Sequence, residues 1–274
     1  MVKDKLIFFL AFISTIFLFL PFTWLLSVLL IKGAPVIFKG GLEFLTGIPP
    51  LPGDGLGGIG TVLEGSIFMA IIASLISIPI SILTALYIVM YEGGLFAKIL
   101  RFLVDSLVEF PTIIIGISVF IIFVQNLKLG LNGISGAIAL SIIMIPYTTI
   151  QAIENLRQSK DEYLEVGYSL GLTDSNVIKL ILSEGREGVI TGILIGIAKI
   201  FGETAPLLFT TVTSFNIFLR TLTSPITGVP SLIFNFAFSP YNNWLDVAWG
   251  AALILALTVT ILFTLARIFT RRKL

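Results

Sequence analysis

Residues 198–210 read A-K-I-F-G-E-T-A-P-L-L-F-T and place two opposite charges inside a long apolar run. Lys199 and Glu203 are four residues apart, and on an α-helix that spacing makes them neighbours on one face. A lysine ammonium is a point positive charge with three donors, and an ionised glutamate only accepts. The two can satisfy each other as an internal ion pair. Alternatively, the cation can meet a passing anion while the carboxylate restrains it, and Thr204 adds a hydroxyl contact. A charge near the centre of a bilayer costs at least about 2.5–3.5 kcal/mol, and ionisable residues there usually mark a substrate path. A structural pair would account for both charges too, although apolar replacements of such pairs are often equally stable.

Composition places this segment in a membrane. Of 274 residues, 56% are hydrophobic and only 12% charged, where a soluble domain carries about 25% charged residues. There are 23 Phe, no Cys and no His, so a disulfide framework and a His- or Cys-based catalytic triad are excluded. The usual zinc ligands are missing as well, and no metal or cofactor is expected to bind this chain. No G-x-x-x-x-G-K-[ST] loop is present, so ATP hydrolysis is not expected of it. Gly55, Gly57 and Gly60 do spell G-x-G-x-x-G. A dinucleotide site would need a preceding strand; here a Pro-rich loop precedes, and the glycines read as a flexible lead into a span.

Six apolar stretches lie at about 6–31, 62–90, 103–125, 134–153, 188–212 and 246–269. Each approaches or exceeds the ~20 residues a spanning helix needs, and no alternation of the barrel type is present. The first stretch is longer than a signal-peptide core and lacks a small-residue cleavage site, so it reads as a retained span. The expected class is therefore an all-α integral membrane protein with six transmembrane helices. With both termini cytoplasmic, twelve of the 17 Lys and Arg fall on the inner side, four on the outer side, and Lys199 remains within a span. That excess orients the chain. The segments are a first helix with a Gly/Pro-rich outer loop (1–60), a core (61–270) and a basic cytoplasmic tail (271–274).

If span five begins near Gly188, Lys199 stands about 16 Å up the helix, with Glu203 beyond it on the same face and Pro206 disturbing the backbone after that. Asp105 and Glu109, beside Lys98 and Arg101, read as inner-end carboxylates, and Glu64 as a residue suited to a helix N-terminus. Gly116, Gly136, Gly192 and Gly196 allow close helix contact. In the outer loop 213–245, Tyr241 and Trp244 fit either interfacial packing or a docking surface for an external partner.

The inner loop 154–187 reads as two short helices. Ser159 and Glu162 have capping-box spacing, Gly171 suits a left-handed cap, and Thr173 or Asp174 can cap the second helix. Its four basic residues are outnumbered by acidic ones, which argues against binding nucleic acid. It fits either a structure lying on the membrane surface or an element that inserts into a groove of a cytoplasmic partner.

Within this loop, Glu165, Val166, Gly167, Gly171 and Ile181 resemble the inner-loop pattern of ABC-importer permeases, with Ser183–Glu184 departing from the usual Leu-Pro. The stretches G-G-I-G-T-V-L-E-G-S, E-F-P-T-I-I-I-G-I-S-V-F and, most specifically, G-E-T-A-P-L-L-F-T are similar to the PstA-type permease subunit of the phosphate ABC transporter. The resemblance covers roughly residues 57–270. It implies a type I ABC-importer permease fold and a multi-pass place in the cell (cytoplasmic or inner) membrane of a prokaryote. It implies as partners a PstC-like sibling permease, two ATP-binding subunits that use ATP and Mg, and an extracytoplasmic phosphate-binding protein, with membrane lipid around the chain. Glu165, Gly167, Gly171 and Ile181 would then serve ATPase coupling, and Lys199, Glu203 and Thr204 the substrate pathway. Lys199 stands where the resembled permeases usually have Arg. A permease for molybdate or sulfate, a secondary anion transporter and a purely structural subunit are the competing functions.

Overall fold

A computed structural model describes residues 2–212 and 214–270, and all its regular structure among them is helical. The basic tail at 271–274 lies outside the described residues. The helices are α1 (Val2–Thr46), α2 (Gly60–Met90), α3 (Leu95–Glu109), α4 (Thr112–Val119), α5 (Gly133–Ser169), α6 (Asp174–Phe201), α7 (Leu207–Thr210), α8 (Val229–Ala237) and α9 (Asn242–Thr270). A π-helical stretch, Phe120–Asn126, continues α4.

Four of these helices, α1, α2, α5 and α9, are long and apolar enough to cross a membrane, and a fifth span results if α3 and α4 with its π-helical end are taken as one broken span. The stretch expected as a continuous span over 103–125 is in fact bent by 102° at Phe110–Pro111. Pro cannot donate to the helix ladder, and its ring forces the preceding residue out of the helical region. Phe110 accordingly adopts φ −73°, ψ 131°. The expected fifth span, 188–212, also differs. Its helix starts at Asp174, carries Glu184, Arg186, Glu187 and Lys199, and stops at Phe201.

Helix α5 packs along α2 and α6, α6 packs along α9, and α9 also meets α1 and α8. Three apolar clusters follow one another through this body. One joins Val36 and Phe44 to Ile59, Phe236 and Val247. The next joins Met69 and Ala73 to Leu140, Met144, Ile200 and Leu207. The last joins Ile88 to Ile153, Leu156, Val177 and Ile181. The expected close contacts at glycines are present: Gly192 and Gly196 face Gln151 and Thr148 of α5, and Gly136 faces Met69.

The outer loop is shorter and firmer than expected. Residues 32–46 continue α1, whose helical geometry breaks only at Gly41. Residues 47–59 are pinned back onto it, with Ile59 N donating to Phe44 O and Gly60 N to Gly47 O. Trp244 Nε1 donates to Pro50 O at 2.9 Å, and Asn243 Nδ2 to Leu51 O at 2.9 Å. Of the three glycines of the G-x-G-x-x-G pattern, Gly57 packs against Ile48 and Pro50, Gly60 opens α2 against Thr46, and Gly55 is exposed. Trp244 also stacks on Phe236 at 4.2 Å, so the aromatic cluster is spent in part on holding this loop.

Candidate functional site

Lys199 occupies the last turn of α6. The free carbonyls at a helix C-terminus favour a cation there. Directly after it the helix ends: Gly202 caps it, and its N–H donates back to Lys199 O. Glu203 therefore lies in the turn beyond the helix and not on its continuing face. The ion pair forms all the same, with Lys199 Nζ 2.6 Å from Glu203 Oε1. The pair is lopsided, since the glutamate side chain is 8% exposed and the lysine side chain 36%. The carboxylate is the buried anchor, and the ammonium has an open side.

Tyr147 of α5 completes the setting, its ring centroid 5.3 Å from Lys199 Nζ. That is within the range of cation–π attraction. No sequence signal near residue 199 pointed to it, because it comes from a helix 52 positions earlier. A Tyr directly after Pro146, between the apolar run 142–145 and the pair Thr148 and Thr149, was the one available cue. Thr204 is half-buried, and its carbonyl accepts from Leu207 N and Leu208 N at 3.1 and 3.3 Å to start the next helical turn. The turn 202–206 is seated by Gly116 of α4, where a Cβ would lie 2.6 Å from Pro206 Cα. Only glycine admits that approach.

At the opposite end, α5 and α6 form a hairpin closed by Leu170–Thr173. Gly171 has φ 73°, the left-handed geometry expected of it. The two helices are, however, extensions of the long ones and not separate short helices. Ser159 is buried within α5, its hydroxyl donating to Asn155 O, so it caps nothing. Thr173 precedes α6 with extended backbone but makes no side-chain cap bond. The Tyr168 hydroxyl donates to Asp174 Oδ1 at 3.1 Å, and that bond to a carboxylate pushes the phenol above its ordinary value.

The four residues expected in coupling divide into two kinds. Glu165 and Gly171 are exposed at the tip. Gly167 is buried against Val177, and Ile181 is wholly buried in the core, so these two shape the hairpin from inside. The tip also presents apolar side chains: Val166, a member of the inner-loop pattern, is 50% exposed, and Leu170, which the pattern did not single out, is 73% exposed. Glu64 is not merely a helix-start residue, since its Oε2 accepts from Leu219 N at 2.9 Å and ties the outer segment to α2. Asp105 pairs with Arg101 at 2.9 Å, as expected. No cluster of metal-ligating side chains occurs among the described residues.

A model of the family described as "Binding-protein-dependent transport system inner membrane component" matches residues 77–274. Among similar proteins, the probable phosphate transport system permease protein PstA of Methanocaldococcus jannaschii is 33% identical over 265 residues, covering 96% of this chain and 92% of its own. The phosphate transport system permease protein PstA of Pasteurella multocida is 36% identical over 277 residues, covering 99% and 95%. That of Haemophilus influenzae is 34% identical over 273 residues, covering 98% and 94%.

Proposed function

The chain belongs to the family of inner membrane components of binding-protein-dependent transport systems, and from that premise we propose that it is the permease subunit through which inorganic phosphate is imported. It is a multi-pass membrane transport component and not an enzyme. The observation that carries the substrate is the half-open ammonium of Lys199, held by a buried carboxylate inside an apolar body. Phosphate is an anion and needs such a partner to leave water. Glu203 fixes the ammonium and, as a like charge to the substrate, limits how tightly the anion is held. A conducting site must release what it binds. The hydroxyl of Thr204 contributes a further contact.

In this proposal six segments cross the membrane, with α4 and its π-helical end as the third and α6 as the fifth, in a type I arrangement with both termini cytoplasmic. Residues 61–270 form the permease core, preceded by α1 and its outer turn. A PstC-like sibling supplies the other half of the path. Two ATP-binding subunits, using ATP and Mg, receive the α5–α6 tip through Glu165, Val166 and Leu170, while Gly167, Gly171 and Ile181 set its shape. An extracytoplasmic binding protein delivers phosphate to the opposite face. The membrane is the cell membrane of a prokaryote.

The test is stimulation of ATP hydrolysis in the reconstituted transporter by binding protein loaded with phosphate, sulfate or molybdate. Stimulation by phosphate alone is expected. Stimulation by sulfate or molybdate instead would replace the substrate and keep the architecture. No response to any of the three would overturn the importer.

A further inference from the structure

Helix α3 presents three distinct faces. One carries Ala97, Leu100 and Val104 and packs against α2 and α5; Ala97 and Val104 are buried. A second carries Lys98, Arg101, Asp105 and Glu109, spaced three and four residues apart. Arg101 closes onto Asp105 at 2.9 Å and reaches Glu154 of α5 at 3.9 Å. The third carries Leu95, Phe96, Ile99, Phe102 and Leu103, which are 77, 56, 45, 69 and 49% exposed, with the exposed Ser106 among them. Among the described residues, Tyr87 packs against Phe96 at one end of this face and the rest of it stays open.

The geometry points to the lipid of one leaflet as its partner: α3 lies in the membrane surface on the side of the α5–α6 hairpin, its open apolar face sunk among acyl chains. Three observations select lipid over a protein. First, α3 runs at 102° to the α4 segment that follows, so if that segment crosses the bilayer, α3 lies nearly in its plane. Second, the sequence of faces is that of an interfacial helix: apolar to lipid, charged to water and headgroups, the remainder to the protein body. Third, aromatic side chains gather at its start, with Tyr87 4.8 Å from Tyr91 and 5.2 Å from Phe96, ring centroid to ring centroid. Tyr at such a position marks headgroup depth. The charged face carries Lys98 and Arg101 against Asp105 and Glu109, so it is neutral overall and requires no particular anionic lipid.

This placement makes α3 a depth gauge for the hairpin. Glu92, in the turn before α3, accepts from Arg157 at 2.6 Å and lies 3.7 Å from Lys160 Nζ. Lys160 Nζ also donates to Val89 O at 2.9 Å. Through these ties and Glu154, a helix afloat in the leaflet sets how far α5 projects beyond it.

The absence of cysteine from the chain makes the test clean. Single cysteines replace Ile99, Phe102 or Leu103 on the open face and Lys98 or Asp105 on the charged face. Leu83→Cys, on an exposed position of α2, serves as the lipid reference. Each is spin-labelled in the full chain with the subunits that co-purify, in vesicles of phosphatidylcholine and phosphatidylglycerol. Collision with oxygen, which concentrates in lipid, is compared with collision with a water-soluble nickel chelate. Labels at 99, 102 and 103 are expected to favour oxygen several-fold, as at 83, and labels at 98 and 105 to favour nickel. Equal nickel access on both faces would place α3 in water. Exclusion of both reagents from 99, 102 and 103 would place another protein there. Either result overturns the proposal. Three positions on one face guard against a single substitution that disturbs the helix.

Discussion

Neutralising Lys199 separates two roles that one residue can play. Removing one partner of a fully buried ion pair costs about 3–5 kcal/mol, because the other charge is left stranded. Here the stranded group would be Glu203, whose side chain is 8% exposed, while the lysine that leaves is 36% exposed. That opening discounts the cost, and Lys199→Met should destabilise the chain by about 2–3 kcal/mol. The double variant Lys199→Met/Glu203→Gln strands no charge and should recover most of that loss. Transport should behave differently. A hydrogen bond to a charged group is worth about 1.5–3 kcal/mol, which is about a 10- to 150-fold loss of rate at about 1.36 kcal/mol per decade. The double variant should keep that loss, whereas Lys199→Arg should retain most uptake. The assays are thermal unfolding in detergent and uptake of labelled phosphate by cells dependent on this transporter. A double variant that transports like the wild type would refute the substrate role and leave a structural pair. A double variant no more stable than Lys199→Met would refute the stranded-charge account.

Other outcomes follow from the packing. Gly116→Ala drives a methyl into the Pro206 backbone, and overpacking of this kind should cost about 1–3 kcal/mol in unfolding and lower uptake by shifting the turn that holds Glu203. Trp244→Phe removes the bond to Pro50 O at a cost of about 0.5–1.5 kcal/mol, and hydrogen exchange over residues 47–59 should quicken while that in α5 does not. Glu92→Gln breaks an ion pair whose partners are 48 and 40% exposed, so a double-mutant cycle with Arg157 should give less than about 1 kcal/mol, diminishing with salt. Leu170→Asp leaves the core untouched and should abolish co-purification of ATP-binding subunits without lowering the unfolding temperature.

The sequence carried the membrane class, the hairpin and the charge pair because each rests on local spacing. The pairing of Lys199 with Glu203 was legible as a four-residue interval, and Gly171 as a turn that needs positive φ. What escaped depended on other helices or on a local rule overridden by packing. Ser159 and Glu162 have the spacing of a cap, but Ser159 is buried beside Gly185, so α5 runs through them. The end of α6 at Phe201 had a signal in Gly202 followed by Pro206, which the length of the apolar run concealed. Lys98, Arg101, Asp105 and Glu109 fall on one helical face just ahead of Pro111, which marks α3 as an in-plane helix. Read by hydropathy alone, its second half merged with the span that follows. For Tyr147 the sequence offered only a Tyr after Pro146, and its place beside Lys199 was out of reach of any local pattern.

Helix α5, at 37 residues, is about 55 Å long and is one uninterrupted rod from the outer turn to the exposed tip. Such a rod is a lever. Tyr147 stands 14 residues from its outer end and the tip 36, so if the outer end is the pivot, each ångström of sideways travel at Ser169 moves Tyr147 about 0.4 Å. A push of a few ångströms at the tip would thus arrive beside Lys199 as a displacement of an ångström or two, comparable to the difference between a made and a broken contact.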